Sequence, residues 1–329
     1  MLGTGLTEMT SKEWDRGLLD HSAKDVSPLI RLEQITKLYG KRPVLEDVSM
    51  DVDYGTITAL IGRNGSGKST LLSILAGLIY TSSGKVSRGY PDMVIGYAPE
   101  AFPAIKFTPE EYLRSMGRIS GLSPKKIESN IGELLTAFHL ESFRTQPIVS
   151  FSKGMLQKIN LIQSLMLQPA LLLLDEPMSG LDLPAMHKLV DLLLELKQKG
   201  TAIVFSVHEP QWIEILADQV HVLQSGKTVT TIKGSENLRV KPTTYIRCMG
   251  LPSHEQLLFE KMPGFISLNK VKESNVECLG LTVQSSASDD FLRVILSLGG
   301  SIRAVEPRGG HNGLEMWMSP REEAREASL

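Results

Sequence analysis

The sequence predicts an α/β core, interrupted by a helical insertion and followed by a small α+β unit. Three observations carry this. An apolar strand at residues 56–61 runs into the glycine-rich loop Gly62-Arg63-Asn64-Gly65-Ser66-Gly67-Lys68-Ser69-Thr70 and on into a helical pattern at 68–78. A strand, loop, helix, strand succession returns at 170–207, after a stretch of purely helical character. Beyond residue 241 the order strand, helix, strand, strand, helix, strand (βαββαβ) describes a ferredoxin-like unit.

Taken in order, residues 1–27 are polar and without sustained period, and read as a flexible N-terminal extension. Alternating segments at 30–35 and 44–48 flank Gly40-Lys41-Arg42-Pro43, which predicts a β-hairpin. The insertion spans about 101–168, with helices expected at 109–116, 124–138 and 154–167. Strands at 171–174 and 202–207 enclose a helix at 184–199. These limits place the main unit at 28–240 and an accessory unit at 241–329. In the latter, strands are expected at 244–248, 266–272, 276–283 and 302–305, and helices at 253–261 and 288–298. No internal repeat is present.

Composition sets outer limits. The chain has 329 residues, 42% hydrophobic and 22% charged, as in folded globular proteins rather than disordered ones. A formal net charge of −2 gives no basic field for nucleic acid. Two cysteines, Cys248 and Cys278, are too few for a disulfide framework, so a reducing compartment is expected. The apolar runs end at charges far short of the roughly 20 residues a membrane helix needs. Glu8, Lys12, Glu13, Asp15 and Arg16 leave no apolar core for a signal peptide. Work at a membrane would therefore go through a partner.

The glycine loop fits G-x-x-x-x-G-K-S without a gap. Its glycines let backbone N–H groups wrap closely around an anion, and the helix that follows presents its positive end. Lys68 reaches the β- and γ-phosphates of a nucleotide in this pattern, and the Ser69 hydroxyl serves Mg²⁺. The apolar run Leu171-Leu172-Leu173-Leu174 then delivers Asp175-Glu176 at a strand's C-terminal end, where α/β sheets bind ligands. Asp175 is suited to hold Mg²⁺ and Glu176 to orient or deprotonate water. His208 closes the next strand and projects toward the same edge, a candidate γ-phosphate contact. A lone histidine is more often structural; the surrounding pattern raises this one to a candidate.

In this order, followed by Ser152-Lys153-Gly154-Met155 between loop and acidic pair and by Ser179-Gly180-Leu181-Asp182 before His208, residues 29–234 resemble the nucleotide-binding subunits of ABC transporters. The resemblance implies a P-loop NTPase core of ABC type, with an antiparallel β subdomain and a helical insertion. It implies ATP and Mg²⁺ as cofactors and ATP hydrolysis as the activity. It also implies roles for further residues. Tyr39 matches the aromatic that stacks on adenine. Phe151-Ser152-Lys153-Gly154-Met155 matches the signature, in which Ser152 and Gly154 face the ATP of a second subunit, and Asp182 lies at that seam. Two composite sites then require a homodimer.

Two departures from the family pattern stand out: Lys153 replaces the first signature glycine, and Glu100 after Tyr97-Ala98-Pro99 replaces a glutamine. A carboxylate at Glu100 still ligates Mg²⁺ or water. Both variants resemble the exporter-type subgroup related to antibiotic-resistance and bacitracin-type transporters. Met178, where threonine is common, reads as a packing change, and Gly313-Leu314-Glu315-Met316-Trp317 resembles the end of that subgroup's accessory domain. The expectation is an ATPase subunit on the inner face of the membrane, energising a separate permease whose short helix would rest near Phe102, Ile105, Phe107 and Tyr112. The rival is a soluble ABC-type ATPase acting on ribosomes or DNA, which usually fuses two ATPase units or carries a long coiled coil; this sequence shows neither.

Overall fold

A computed structural model describes residues 28–234, 243–251, 256–273 and 276–308. The expected extension at 1–27, the boundary at 240/241, the start of the helix expected at 253 and the run 313–317 lie outside the described residues.

The chain opens with the predicted hairpin, β1 (Ile30–Tyr39) and β2 (Arg42–Val52), paired antiparallel. Its turn is Gly40-Lys41 alone, with Gly40 at a φ of 62°. Arg42 and Pro43, expected in the turn, begin β2 instead. Pro43 is tolerated there because β2 is an edge strand of the sheet β2-β1-β4, where β4 is Ser83–Arg88.

The second sheet has six strands. β3 (Ile57–Ile61), β5 (Ile95–Ala98), β6 (Leu171–Leu174), β7 (Ala202–Ser206) and β8 (Gln219–Gln224) run parallel, in the order β5-β6-β7-β3-β8. β9 (Lys227–Lys233) adds to β8 antiparallel. β3, β6 and β7 are buried along their whole length, which is why they read as continuous apolar runs rather than alternations. The consequence for function is geometric. β5, β6, β7 and β3 are four neighbours whose C-terminal ends form one edge, and each is followed by a segment the sequence singles out: Glu100, Asp175-Glu176, His208 and the glycine loop.

Helix α1 (Lys68–Leu75) leaves the glycine loop and stops at Ala76-Gly77, where Gly77 takes a φ of 77°. It is thus shorter than the helix expected to 78. The insertion holds α2 (Pro109–Ile119), α3 (Pro124–Ala137) and α4 (Lys153–Leu165), followed later by α5 (Leu183–Gln198) and α6 (Pro210–Leu216). α2 has the strongest start signal: Thr108 Oγ1 accepts from Glu111 N, Glu111 Oε2 accepts from Thr108 N, and Pro109 takes the first helical position. One apolar core joins the insertion to one face of the six-stranded sheet through Leu113, Ile131, Ile162 and Leu174. A second lies between the other face, α1 and the three-stranded sheet. Met178 is buried in the first core, in keeping with a packing change.

The C-terminal unit has the predicted order: β10 (Thr243–Met249), α7 (Gln256–Glu260), β11 (Phe265–Glu273), β12 (Val276–Gln284), α8 (Ser288–Ser297) and β13 (Ser301–Arg308). Its strands pair antiparallel in the order β11-β12-β10-β13, the ferredoxin-like arrangement. It has a core of its own, where Phe259 stacks on Phe291.

Candidate active site

The glycine loop spans the gap from β3 to α1. Gly62 has a φ of 150°, and a Cβ there would lie 2.1 Å from the Leu223 carbonyl oxygen. Gly67 has a φ of 105°, and a Cβ would press on Leu45 and the Val44 carbonyl of β2. Both positions require glycine for space as well as conformation. Arg63, Asn64 and Gly65 form the outer rim, and Ser66 turns inward. Its Oγ is buried with no hydrogen-bond partner among the described residues. Lys68 is buried and folds back over the loop, Nζ donating to the Gly62 carbonyl at 2.7 Å. Ser69 is exposed at the helix start and Thr70 is half-buried.

Facing the loop, the ends of β6 and β7 are stitched by a residue that sequence reasoning passed over. Ser206 is fully buried; its Oγ donates to Asp175 Oδ1 at 2.6 Å and accepts from Glu176 N at 2.8 Å. One hydroxyl thus fixes both acids. The available signal was its place as the one polar residue ending the run Ala202-Ile203-Val204-Phe205-Ser206. Asp175 N donates to the Ala98 carbonyl at the end of β5, which brings Glu100 alongside. Glu176 adopts a φ of +50°, a left-handed conformation uncommon for a residue with a side chain and frequent at functional turns. His208 Nε2 stands 2.8 Å from Glu176 Oε1. The two are close but not aligned as a hydrogen bond, and Oε1 has no other partner among the described residues, so the contact is one of proximity.

Electrostatics bind these groups together. Burial pushes the Glu176 carboxyl up to about 7; the Lys68 ammonium opposes the rise, and Asp175, Glu100 and Glu209 reinforce it. Burial lowers His208 below its ordinary value, and Lys68 lowers it further. Burial likewise lowers Lys68, against the pull of Glu176, Asp175 and Glu100. Near neutral pH the histidine is therefore neutral while Glu176 is part-ionised. Glu100 itself is exposed, at the open side of the cluster.

The remaining candidates stand elsewhere. Ser152 N-caps α4, its Oγ accepting from Met155 N at 3.3 Å. A Cβ on Gly154 would lie 2.6 Å from the Gly180 carbonyl, so signature and Ser179–Asp182 turn touch backbone to backbone. The stem of Lys153 lies over Gly180. Asp182 is engaged within the chain: Oδ1 caps α5 at Ala185 N, and Oδ2 pairs with Lys158 Nζ at 2.7 Å, which holds its carboxyl below the usual range. Tyr39 ends β1 with half its surface exposed, and Lys37 Nζ lies 5.2 Å from its ring centre.

A phosphate cradle, a buried lysine and a pair of acids on one sheet edge define a nucleotide-hydrolysing ATPase of the phosphate-loop class. Residues 45–179 match the family model described as ABC transporter. An uncharacterized ABC transporter ATP-binding protein of Methanocaldococcus jannaschii is 32% identical over 81% of this chain and 99% of its own length. A zinc import ATP-binding protein of Halorhodospira halophila is 33% identical over 61% and 75%, and a lantibiotic transport ATP-binding protein of Streptococcus pyogenes 34% identical over 64% and 94%. A solved ATP-binding subunit of an ABC transporter is 33% identical and superposes with a TM-score of 0.60 over 64% of this chain and 91% of its own. The chain belongs to the family of ABC transporter ATP-binding proteins, and its activity is that of an ABC-type ATPase.

Proposed function

We propose that two copies of this chain bind two Mg·ATP between them and, by hydrolysing ATP, drive a separate membrane permease from its cytoplasmic side. Each ATP lies between the loop of one copy and Ser152 and Gly154 of the other, with Tyr39 stacked on adenine. The supporting observation is the gathering of Lys68, Asp175, Glu176, His208 and Glu100 at the ends of four adjacent strands, while Ser152 and Gly154 stand apart on α4. Export is the direction favoured by the Lys153 and Glu100 variants, and a lantibiotic transport relative accords with it. The reading assigns residues 28–240 to the ATPase unit and 241–329 to an accessory unit. Among the described residues no helix is long and apolar enough to cross a membrane.

Mg²⁺ fits the donor set. Ser69, Asp175 and Glu100 offer oxygen only, as a hard cation prefers. Ser69, Asp175 and Glu100 would hold the ion, and nucleotide and water would supply the remaining oxygens, as is usual for Mg²⁺. When bound, it neutralises charge on the phosphates. The chain's own residues do the rest. Lys68 leaves its carbonyls for the γ-phosphate, Glu176 takes or orients the proton of the attacking water, and His208 holds the γ-phosphate side of that water. Catalysis is mostly positioning and charge neutralisation.

Of the residues expected to meet a permease helix, fewer are exposed than the sequence suggests. Phe102 and Ile105 pack into the insertion's core, Phe102 edge-on to Tyr112 at 5.4 Å, whereas Phe107 is exposed. Phe107 is thus the residue offered to a partner helix.

Light scattering of Glu176→Gln with Mg·ATP tests the core of this reading. A stable ATP-dependent dimer, absent for wild type, identifies Glu176 as the group that ends the closed state. A variant that binds ATP but remains monomeric removes the composite-site model.

A further inference from the structure

α4 carries three side-chain amides on one stripe: Gln157, Asn160 and Gln163, spaced three residues apart. Gln157 and Asn160 are buried, Asn160 completely. A helix that packs on a sheet needs apolar residues at such positions, and burying amides there is unfavourable unless they are bound. All three are bound, and all to main-chain carbonyls of β5 or of the segments that follow β5 and β6. Gln163 Nε2 donates to Tyr97 O at 2.6 Å, and Asn160 Nδ2 to Pro99 O at 2.6 Å. Gln157 Nε2 donates to Pro177 O at 3.3 Å and Glu176 O at 3.4 Å, while its Oε1 accepts from Asn160 Nδ2 at 3.4 Å. The helix is also pressed close to β5, since a Cβ on Gly96 would lie 2.1 Å from the Ser164 carbonyl.

The stripe thus grips the chain on both sides of the site: just before Glu100, and at Glu176 itself. Asn160 is its centre and is bonded to Pro99, which immediately precedes Glu100. Its Oδ1 is buried without a hydrogen-bond partner among the described residues, so the bonds its side chain makes are those of its nitrogen.

We propose that Asn160 is a positioning residue, which pins the Pro99 carbonyl and so sets where Glu100 stands relative to the acidic pair. The ligand concerned is the divalent cation of Mg·ATP, and the inference rests on Glu100 as one of its oxygen ligands. Because Gln157 is bonded to Asn160, the same stripe ties Glu100 and Glu176 to the helix that begins at Ser152. A change in the angle of α4 then moves both carboxylates together.

The test uses the full chain with Asn160→Leu, near in volume but without the donor, beside Glu100→Ala and the double variant. ATP affinity is measured calorimetrically in EDTA and in Mg²⁺, together with the Mg²⁺ concentration for half-maximal ATPase. Asn160→Leu is expected to keep ATP affinity in EDTA within twofold of wild type, to lose at least threefold of the gain on adding Mg²⁺, and to raise the half-saturating Mg²⁺ at least fivefold. The double variant should be no worse than Glu100→Ala alone. Unchanged metal dependence in Asn160→Leu, with a clear shift in Glu100→Ala, overturns the proposal and leaves the metal role of Glu100 intact. Equal loss of affinity in EDTA and Mg²⁺ means a packing role only and also overturns it. No shift in Glu100→Ala removes the reading beneath it. Asn160→Ser, smaller and too short to reach Pro99, carries the same expectations should the leucine not fold.

Discussion

At the scale of single residues, the Glu176–His208 contact joins a carboxyl raised to about 7 to an imidazole lowered below its usual value. If Glu176 is the base it must be ionised to work, so kcat/KM for ATP hydrolysis should rise with pH through about 7. Stability runs the other way. The folded carboxyl holds its proton more tightly than the usual value near 4.5, so its contribution is fully present below that value and is lost as pH rises through about 7. Melting curves at several pH values should show the wild type falling relative to Glu176→Gln across this window; parallel curves would mean the carboxyl is not desolvated. Ser206 makes a companion case. Ser206→Ala leaves Glu176 N without its acceptor, at a cost of about 1–3 kcal/mol. It should lower ATPase turnover about tenfold or more while ATP affinity holds, which steady-state kinetics with a binding titration would check.

At the scale of elements, the insertion yields the sharpest expectations. Thr108 and Glu111 cap α2 reciprocally, so Thr108→Ala should lose about 1 kcal/mol in urea denaturation. Phe107→Ser should leave basal ATPase and stability near wild type but weaken coupling to a permease; a matching loss of both activities would place Phe107 in the fold instead. Such elements were legible because their signals are local: a proline after a capping residue, a leucine run before two acids, glycines around a lysine. Other elements were not. β8 reads as no strand because Gln219 and His221 interrupt its apolar run, and both are satisfied only in the fold, Gln219 by Thr58 and His221 by Thr228 and Thr231. β4 is mostly exposed and polar, and takes its place only by pairing with β1. The amide stripe of α4 was hidden for the same reason. Glutamine and asparagine in a helix look like a solvated face until the carbonyls they meet, some 20 to 66 positions away in sequence, are known. Motif chemistry is written in neighbouring residues, whereas its support is written across the sheet.

At the scale of the whole molecule, the decisive matter is that the chain holds one phosphate loop and one signature, set on different elements. If the catalytic unit is the dimer, each site is built from both copies, and two different defects can complement. A Lys68→Ala chain lacks a working loop but keeps Ser152 and Gly154. A Gly154→Val chain keeps its loop but cannot seat the helix start, because even a Cβ meets the Gly180 carbonyl at 2.6 Å. Each alone should be inactive. In an equal mixture half of the dimers are mixed, and each mixed dimer has one intact site, so the mixture should recover up to about a quarter of wild-type ATPase by random pairing. Recovery that rises with the fraction of mixed dimers, seen by ATPase assay of a titrated mixture, is expected of sites shared between copies. If the mixture stays inactive while ATP still drives dimerisation, hydrolysis does not reside in single composite sites, and loop and signature must act either within one chain or only as a complete pair.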